Sequence, residues 1–127
     1  MKSRFVAALA ATLLMAAPQF AYAQFMDINA IIAGIGSSEF LRDAEHASDA
    51  AGLRVVRLST LAGSEQAASR LYAAIDLKER DVHYLQGNLI INPMAMSAIR
   101  NSGVTLDQIV SLDVSGDGGG VLYANDL

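Results

Sequence analysis

The 127-residue sequence has no cysteine, no tryptophan, two prolines and two histidines. Without cysteine, no disulfide can staple the fold, no thiol can act as nucleophile and no lipid can be attached at a cysteine. Many small exported domains lean on disulfides, so the core of this one must suffice. Two histidines, His46 and His83, cannot by themselves supply the three or four ligands that metal sites usually need. Basic charge is sparse, with nine Lys and Arg against thirteen Asp and Glu. No basic stripe appears, and an acidic surface repels phosphate backbones, so nucleic-acid binding is disfavoured. No G-x-S-x-G elbow presents a serine nucleophile. Carboxylates are plentiful, but a general acid–base pair is defined by geometry, which spacing does not show.

Long apolar runs are also missing after the first. Lys2 and Arg4 precede Phe5 to Ala17, a stretch broken only by Thr12, and Pro18 and the small-x-small triplet Ala21-Tyr22-Ala23 follow. These are the three regions of a cleavable secretory signal peptide over residues 1–23, with Ala21 and Ala23 framing cleavage before Gln24. The apolar run, about 13 residues, is short of the roughly 20 that span a bilayer, so no stable membrane anchor is expected after cleavage. No twin-arginine pair is present, which favours the general secretion route. The Ala-rich leader and the lack of cysteine point to a bacterial periplasm or the extracellular space. All thirteen acidic residues and seven of the basic ones lie beyond residue 23, so the mature chain carries a net charge near −6. Charge of this size supports solubility.

Residues 24–127 suffice for one domain. Within 24–36, Asp27 can cap one or two helical turns through Ile28, Ile31, Ile32 and Ile35 before Gly34 and Gly36 interrupt. This segment is expected to be loosely ordered unless those isoleucines dock. The single domain then runs over 37–127. Ser37 and Ser38 are helix caps, and Phe40, Leu41, Ala44, Ala47 and Ala51 recur at helical spacing, which predicts a helix over about 38–51 ending at Gly52. Leu53 to Leu58 reads as a strand. Ser64 and Glu65 open a helix with Ala67, Ala68, Leu71, Tyr72 and Ile75 as its apolar stripe. Val82, Leu85 and Leu89 favour helix over strand across 82–92, although Gly87 weakens it. Asn92-Pro93 starts another helix, with Met94, Ala95, Ala98 and Ile99 as its buried face. A capped turn at Thr105 to Gln108 precedes a strand with Val110, Leu112 and Val114 on one face and Ser111 and Asp113 on the other. Ser115 to Gly120 is a turn, and Val121 to Tyr123 completes a C-terminal β-hairpin. The expected fold is a small two-layer α+β domain, with three or four helices on a short antiparallel sheet.

Four local patterns carry candidate chemistry. Asp113, Ser115 and Asp117 with Gly118 resemble the first half of a calcium loop, but its twelfth position is Ala124 and turn chemistry alone explains Asp and Gly there. Asp43, His46 and Asp49 share helical spacing, yet a charged face with an incidental histidine accounts for them. Gly34-Ile35-Gly36-Ser37-Ser38 could offer amides to an anion, against the simpler reading of a capped helix start. Met26, Met94 and Met96 are soft ligands, but sparse and unpatterned, with core packing the simpler role for Met94. Phe40, Tyr72, Tyr84 and Tyr123 are read as core and edge packing.

No catalytic residue, metal or cofactor is assigned. The leading expectation is a small, non-enzymatic exported protein that binds a protein partner in its compartment or a modest ligand. One alternative is a calcium-type module using the Asp113 to Asp117 turn, and another is a small hydrolase with an unrecognised carboxylate site.

Overall fold

Asp27 begins the described part of the chain by capping its first helix: one carboxylate oxygen accepts from the N–H groups of Asn29 and Ala30 at 2.7 and 3.2 Å. The computed structural model describes residues 27–127; the leader, with Ala21, Ala23 and Gln24, lies outside the described residues. Helix α1 (Ile28–Gly34) sends Ile28 and Ile31 into the core, and Ile35 follows them. Each isoleucine so buried contributes about 1.5–3 kcal/mol, and Arg70 Nη1 ties the helix to its neighbour through Asn29 Oδ1 at 2.5 Å. The isoleucine docking on which the order of this segment depended is present among its described residues, and Ile28–Gly34 is the first described helix.

Helix α2 (Ser38–Glu45) is capped by Ser37 Oγ, which accepts from the Phe40 N–H at 3.2 Å. It stops six residues before the expected end at Ala51. The reason lies in two later helices. Asn88 donates its side-chain amide to the carbonyl of Ala44, and Asn92 donates to those of Ala47 and Ala50. Helix-end carbonyls need partners, and these amides satisfy them without another helical turn. Ala44 and Ala47 stay buried, whereas Leu41 and Ala51 are exposed.

Strand β1 (Leu53–Arg57) and a 3-10 turn (Leu58–Thr60) lead to helix α3 (Ser64–Leu77), then α4 (Glu79–Ile90) and α5 (Pro93–Asn101). The stretch that read as helix or strand is helix: Val82, Leu85 and Leu89 of α4 are buried together, and Gly87 faces open space. On α5 the Asn92 cap sets the phase so that Ala95 and Ile99 point inward. Met94, one position before Ala95 and turned about 100° from it, is 59% exposed, which corrects its expected place in the core. Tyr72 on α3 and Tyr84 on α4 are likewise half exposed, while Phe40 and Tyr123 are buried. A second 3-10 turn (Leu106–Gln108), closed by a Thr105–Gln108 capping box, leads into strand β2 (Ile109–Val114), and β3 (Gly120–Ala124) completes the hairpin.

The architecture is α+β, with five helices among the described residues packed on a three-stranded sheet. The sheet is mixed rather than antiparallel. Its order is β1-β3-β2, with β2 antiparallel and β1 parallel to β3. A parallel pair needs a long crossover, and helices α3 to α5 with β2 supply it. The last strand is therefore the central one, with Leu122, Tyr123 and Ala124 all buried. Its neighbour β1 is an edge, half-buried along its whole length. Among the described residues no helix is long and apolar enough to cross a membrane.

Candidate functional site

Strand register divides the sheet into two chemically unlike faces. Val55, Leu112 and Leu122 align across one face. On the other, Val56, Tyr123 and Ser111 form one row, and Arg54, Val121 and Asp113 form the next. Ser111 and Asp113 read in the sequence as the polar, outward side of a half-buried strand, but α1 and α2 cover that side. Between those helices and the strands lies a groove of about 170 Å³. Ala30, Ile31 and Gly34 of α1 line it, as do Ser37, Glu39, Phe40 and Asp43 at the start of α2 and Ser111, Asp113 and Tyr123 of the sheet.

Three carboxylates thus share one small groove. Burial pushes the Asp43 carboxyl above its ordinary value; the Val114 backbone N–H and Arg42 pull it down, while Asp113 and Glu39 push it up. Asp113 is also raised, first by burial and then by the charge of Glu39. Like charges in a partly desolvated place disfavour each other's ionised form. Among the described residues, however, no group of three or more His, Asp or Glu side chains is disposed to hold a metal ion.

Ser111 adds a neutral polar group. The residue is only 9% exposed and lines the groove. A hydroxyl both donates and accepts.

The sequence candidates distribute differently. Ser115 and Asp117 belong to the hairpin turn, where Ser115 Oγ donates to Asp117 Oδ1 at 2.5 Å and the Gly119 N–H donates to the same oxygen at 3.0 Å. Those two bonds hold the Asp117 carboxyl below its ordinary value. The turn's oxygens thus satisfy its own backbone, whereas Asp113 sits in the groove. Of Asp43, His46 and Asp49, only Asp43 lines the groove; His46 terminates α2 in a non-helical conformation, and both it and Asp49 are exposed. The Gly34 to Ser38 segment does border the groove, but the three carboxylates beside it make it hostile to an anion. Met96 packs against the core, away from exposed Met94, and Met26 lies outside the described residues.

Neither a protein-family model nor a curated protein nor a solved structure matches this chain. Sequence reasoning missed the grouping of Glu39, Asp43, Ser111 and Asp113, because α2 and β2 are distant along the chain. The one local signal was the period-two placement of Ser111 and Asp113 on a single strand face.

Two other surface features stand apart from the groove. The larger concavity, about 600 Å³, is lined by the single segment Asp76 to Asp81 with His83, at the open α3–α4 turn. At the α4–α5 corner, Ile90, Ile91 and Met94 are exposed within five residues, Ile91 by 67%. Apolar side chains clustered this closely at a surface favour contact with another molecule.

Proposed function

We propose that this chain is a small exported binding protein, and that the groove between α1, α2 and the sheet is its ligand site. The observation that carries this reading is the association of the nearly buried Ser111 with the Asp43 and Asp113 carboxylates in one concave place. Small-molecule sites combine apolar walls with a few placed polar groups, and here Ile31 and Phe40 supply the walls. The exposed Ile90, Ile91 and Met94 corner supports a protein partner in the same compartment.

Two measurements test the proposal. Intact mass of the exported protein should correspond to a chain starting at Gln24, with loss of one ammonia if that residue cyclises. Recovery of the full 127-residue chain would remove the exported part of the reading. Thermal unfolding with cationic, neutral and anionic small molecules tests the site, because a ligand held only by the folded state raises the midpoint. A rise lost in Ser111→Ala or Asp113→Asn supports the groove; a rise unchanged in both places the site elsewhere.

A second reading has one observation in its favour. Two carboxyls with raised pKa in one groove can divide acid and base roles, as a hydrolase would require. Turnover of chromogenic glycoside or ester substrates, abolished by Asp113→Asn, would favour it over simple binding.

A further inference from the structure

We propose that the outward face of α4 joins this chain to a second copy of itself, with the two α4 helices antiparallel and crossing at Gly87, and Tyr84 of each copy against Ile91 of the partner subunit. The proposal rests on the reading of the α4–α5 corner as a protein contact and names the partner.

Helix α4 is apolar on two sides. Val82, Leu85 and Leu89 are buried in the core. Opposite them Tyr84, Gly87 and Ile91, spaced i, i+3 and i+7, share one face, and Ile90 and Met94 flank it. Tyr84 is 46% exposed, Ile90 58%, Ile91 67% and Met94 59%. Gly87 meets nothing within 4 Å of where a Cβ would stand. A helix that packs on a core by one stripe carries polar and charged residues on its other side, and one that is apolar all round is covered all round. Here the chain has no Asp, Glu, Lys or Arg anywhere from Val82 to Ile99, although such residues are 17% of the whole.

Charge and symmetry select what covers this face. Acidic residues outnumber basic ones thirteen to nine, so two copies repel each other through their charged surfaces. The stretch from Val82 to Ile99 is where they meet without that cost. A helix seated on lipid carries Lys and Arg on its polar side, and this stretch has none. A charged protein partner would find no complementary charge there. The spacing, in contrast, is its own complement. A two-fold axis beside Gly87 sets position 84 opposite position 91 and position 91 opposite position 84, so the same aromatic–aliphatic contact forms twice, as an isologous interface requires. The two contacts stand about 10.5 Å apart along the helix. The separation of packed helices depends on the side chains at the crossing, and glycine there permits close approach. A patch of this kind falls in the class of roughly 300–600 Å², below the about 800 Å² per partner of a standard interface. The dimer is therefore weak, with a Kd on the order of 100 μM.

The test is sedimentation velocity of the purified protein from about 10 μM to about 1 mM, a range that spans that Kd. The mean mass should rise from one chain toward two. Tyr84→Glu and Ile91→Lys, each alone, should weaken association at least about tenfold. Neither should change the melting midpoint of the dilute protein, because both side chains stand outside the core. The double variant Tyr84→Glu/Ile91→Lys should recover association, since each new carboxylate then faces the partner's new ammonium; within one copy, positions seven apart do not pair as those three or four apart do. Association unchanged in both single variants, or not recovered in the double variant, overturns the α4 pairing. A single chain at every concentration overturns the second copy. If that single chain binds phosphatidylcholine vesicles and Tyr84→Glu abolishes the binding, the face belongs to lipid and the protein-contact reading falls with the proposal. If it binds no vesicles, the second copy alone is overturned and the corner is left to a different protein.

Discussion

The side-chain amide of Asn92 donates to the carbonyl oxygen of Ala50 at 2.8 Å, joining the cap of α5 to the chain that leaves α2. The same nitrogen reaches the Ala47 carbonyl at 2.9 Å, and Asn92 Oδ1 accepts from the N–H groups of Met94 and Ala95. One 97%-buried amide therefore starts one helix and ends another.

Replacing it separates these duties. Asn92→Ala loses the cap, about 1 kcal/mol, and strands two buried carbonyls, about 1–3 kcal/mol. A total loss of about 2–4 kcal/mol in urea unfolding is expected. Asn92→Asp keeps the cap acceptor but turns a carboxylate toward two carbonyl oxygens. It should also be destabilised at neutral pH and partly recover in acid, once the aspartate is protonated.

Two glycines should respond in opposite directions. A Cβ on Gly120 would lie 2.5 Å from the Asp113 carbonyl oxygen, on the strand opposite, where Gly120 pairs with Val114. Gly120→Ala must displace backbone, and a loss of about 1–3 kcal/mol is expected. Gly87 is inside α4 with nothing near its virtual Cβ. Gly87→Ala should stabilise by about 0.5–1 kcal/mol. Thermal or urea melts of the two variants check the contrast.

The groove carboxyls predict an unusual pH response. A carboxyl whose folded pKa is raised favours folding when protonated. That contribution is complete below the unfolded value near 3.8 and disappears as pH rises through the higher folded value. Asp113→Asn removes it and relieves Asp43 as well. The variant should therefore melt a few degrees above the wild type at pH 7, with the difference shrinking toward pH 4. A wild-type midpoint at pH 7 equal to or higher than the variant's would contradict the repulsion.

Asp126 has the opposite sign. Burial pushes its carboxyl up, but the Ser59 hydroxyl and N–H together with Arg57 bring it below its ordinary value. Those contacts measure 2.6 Å, 2.9 Å and 3.7 Å, and they fasten the C-terminal tail to the turn after β1. Stability from this latch is present above pH 3.8 and is lost as pH falls through the lower folded value. Asp126→Ala should lower the midpoint at pH 7 and speed hydrogen exchange of the Ser59 amide, with the midpoint difference fading in strong acid.

Local chemistry was legible wherever a neighbour in sequence supplies the partner. The Asn92-Pro93 start, the Ser37 cap, the Val82-Leu85-Leu89 stripe and the Ser115 to Gly120 turn are all such cases, and each is present. The end of α2 was not legible, because Asn88 and Asn92 terminate it from over forty residues away. Met94 was misplaced because a short helix with several apolar residues permits more than one buried face, and the packing of Ala95 and Ile99 decides between them.

From the sequence alone came the α+β class, most helix starts and the hairpin, since these follow from periodicity, caps and turn residues acting over a few positions. The tertiary structure alone decided that β3 is central, that β1 runs parallel to it, and that Asp43, Ser111 and Asp113 share a groove. Strand order and carboxylate proximity depend on how distant apolar faces bury one another, and no short-range pattern encodes that.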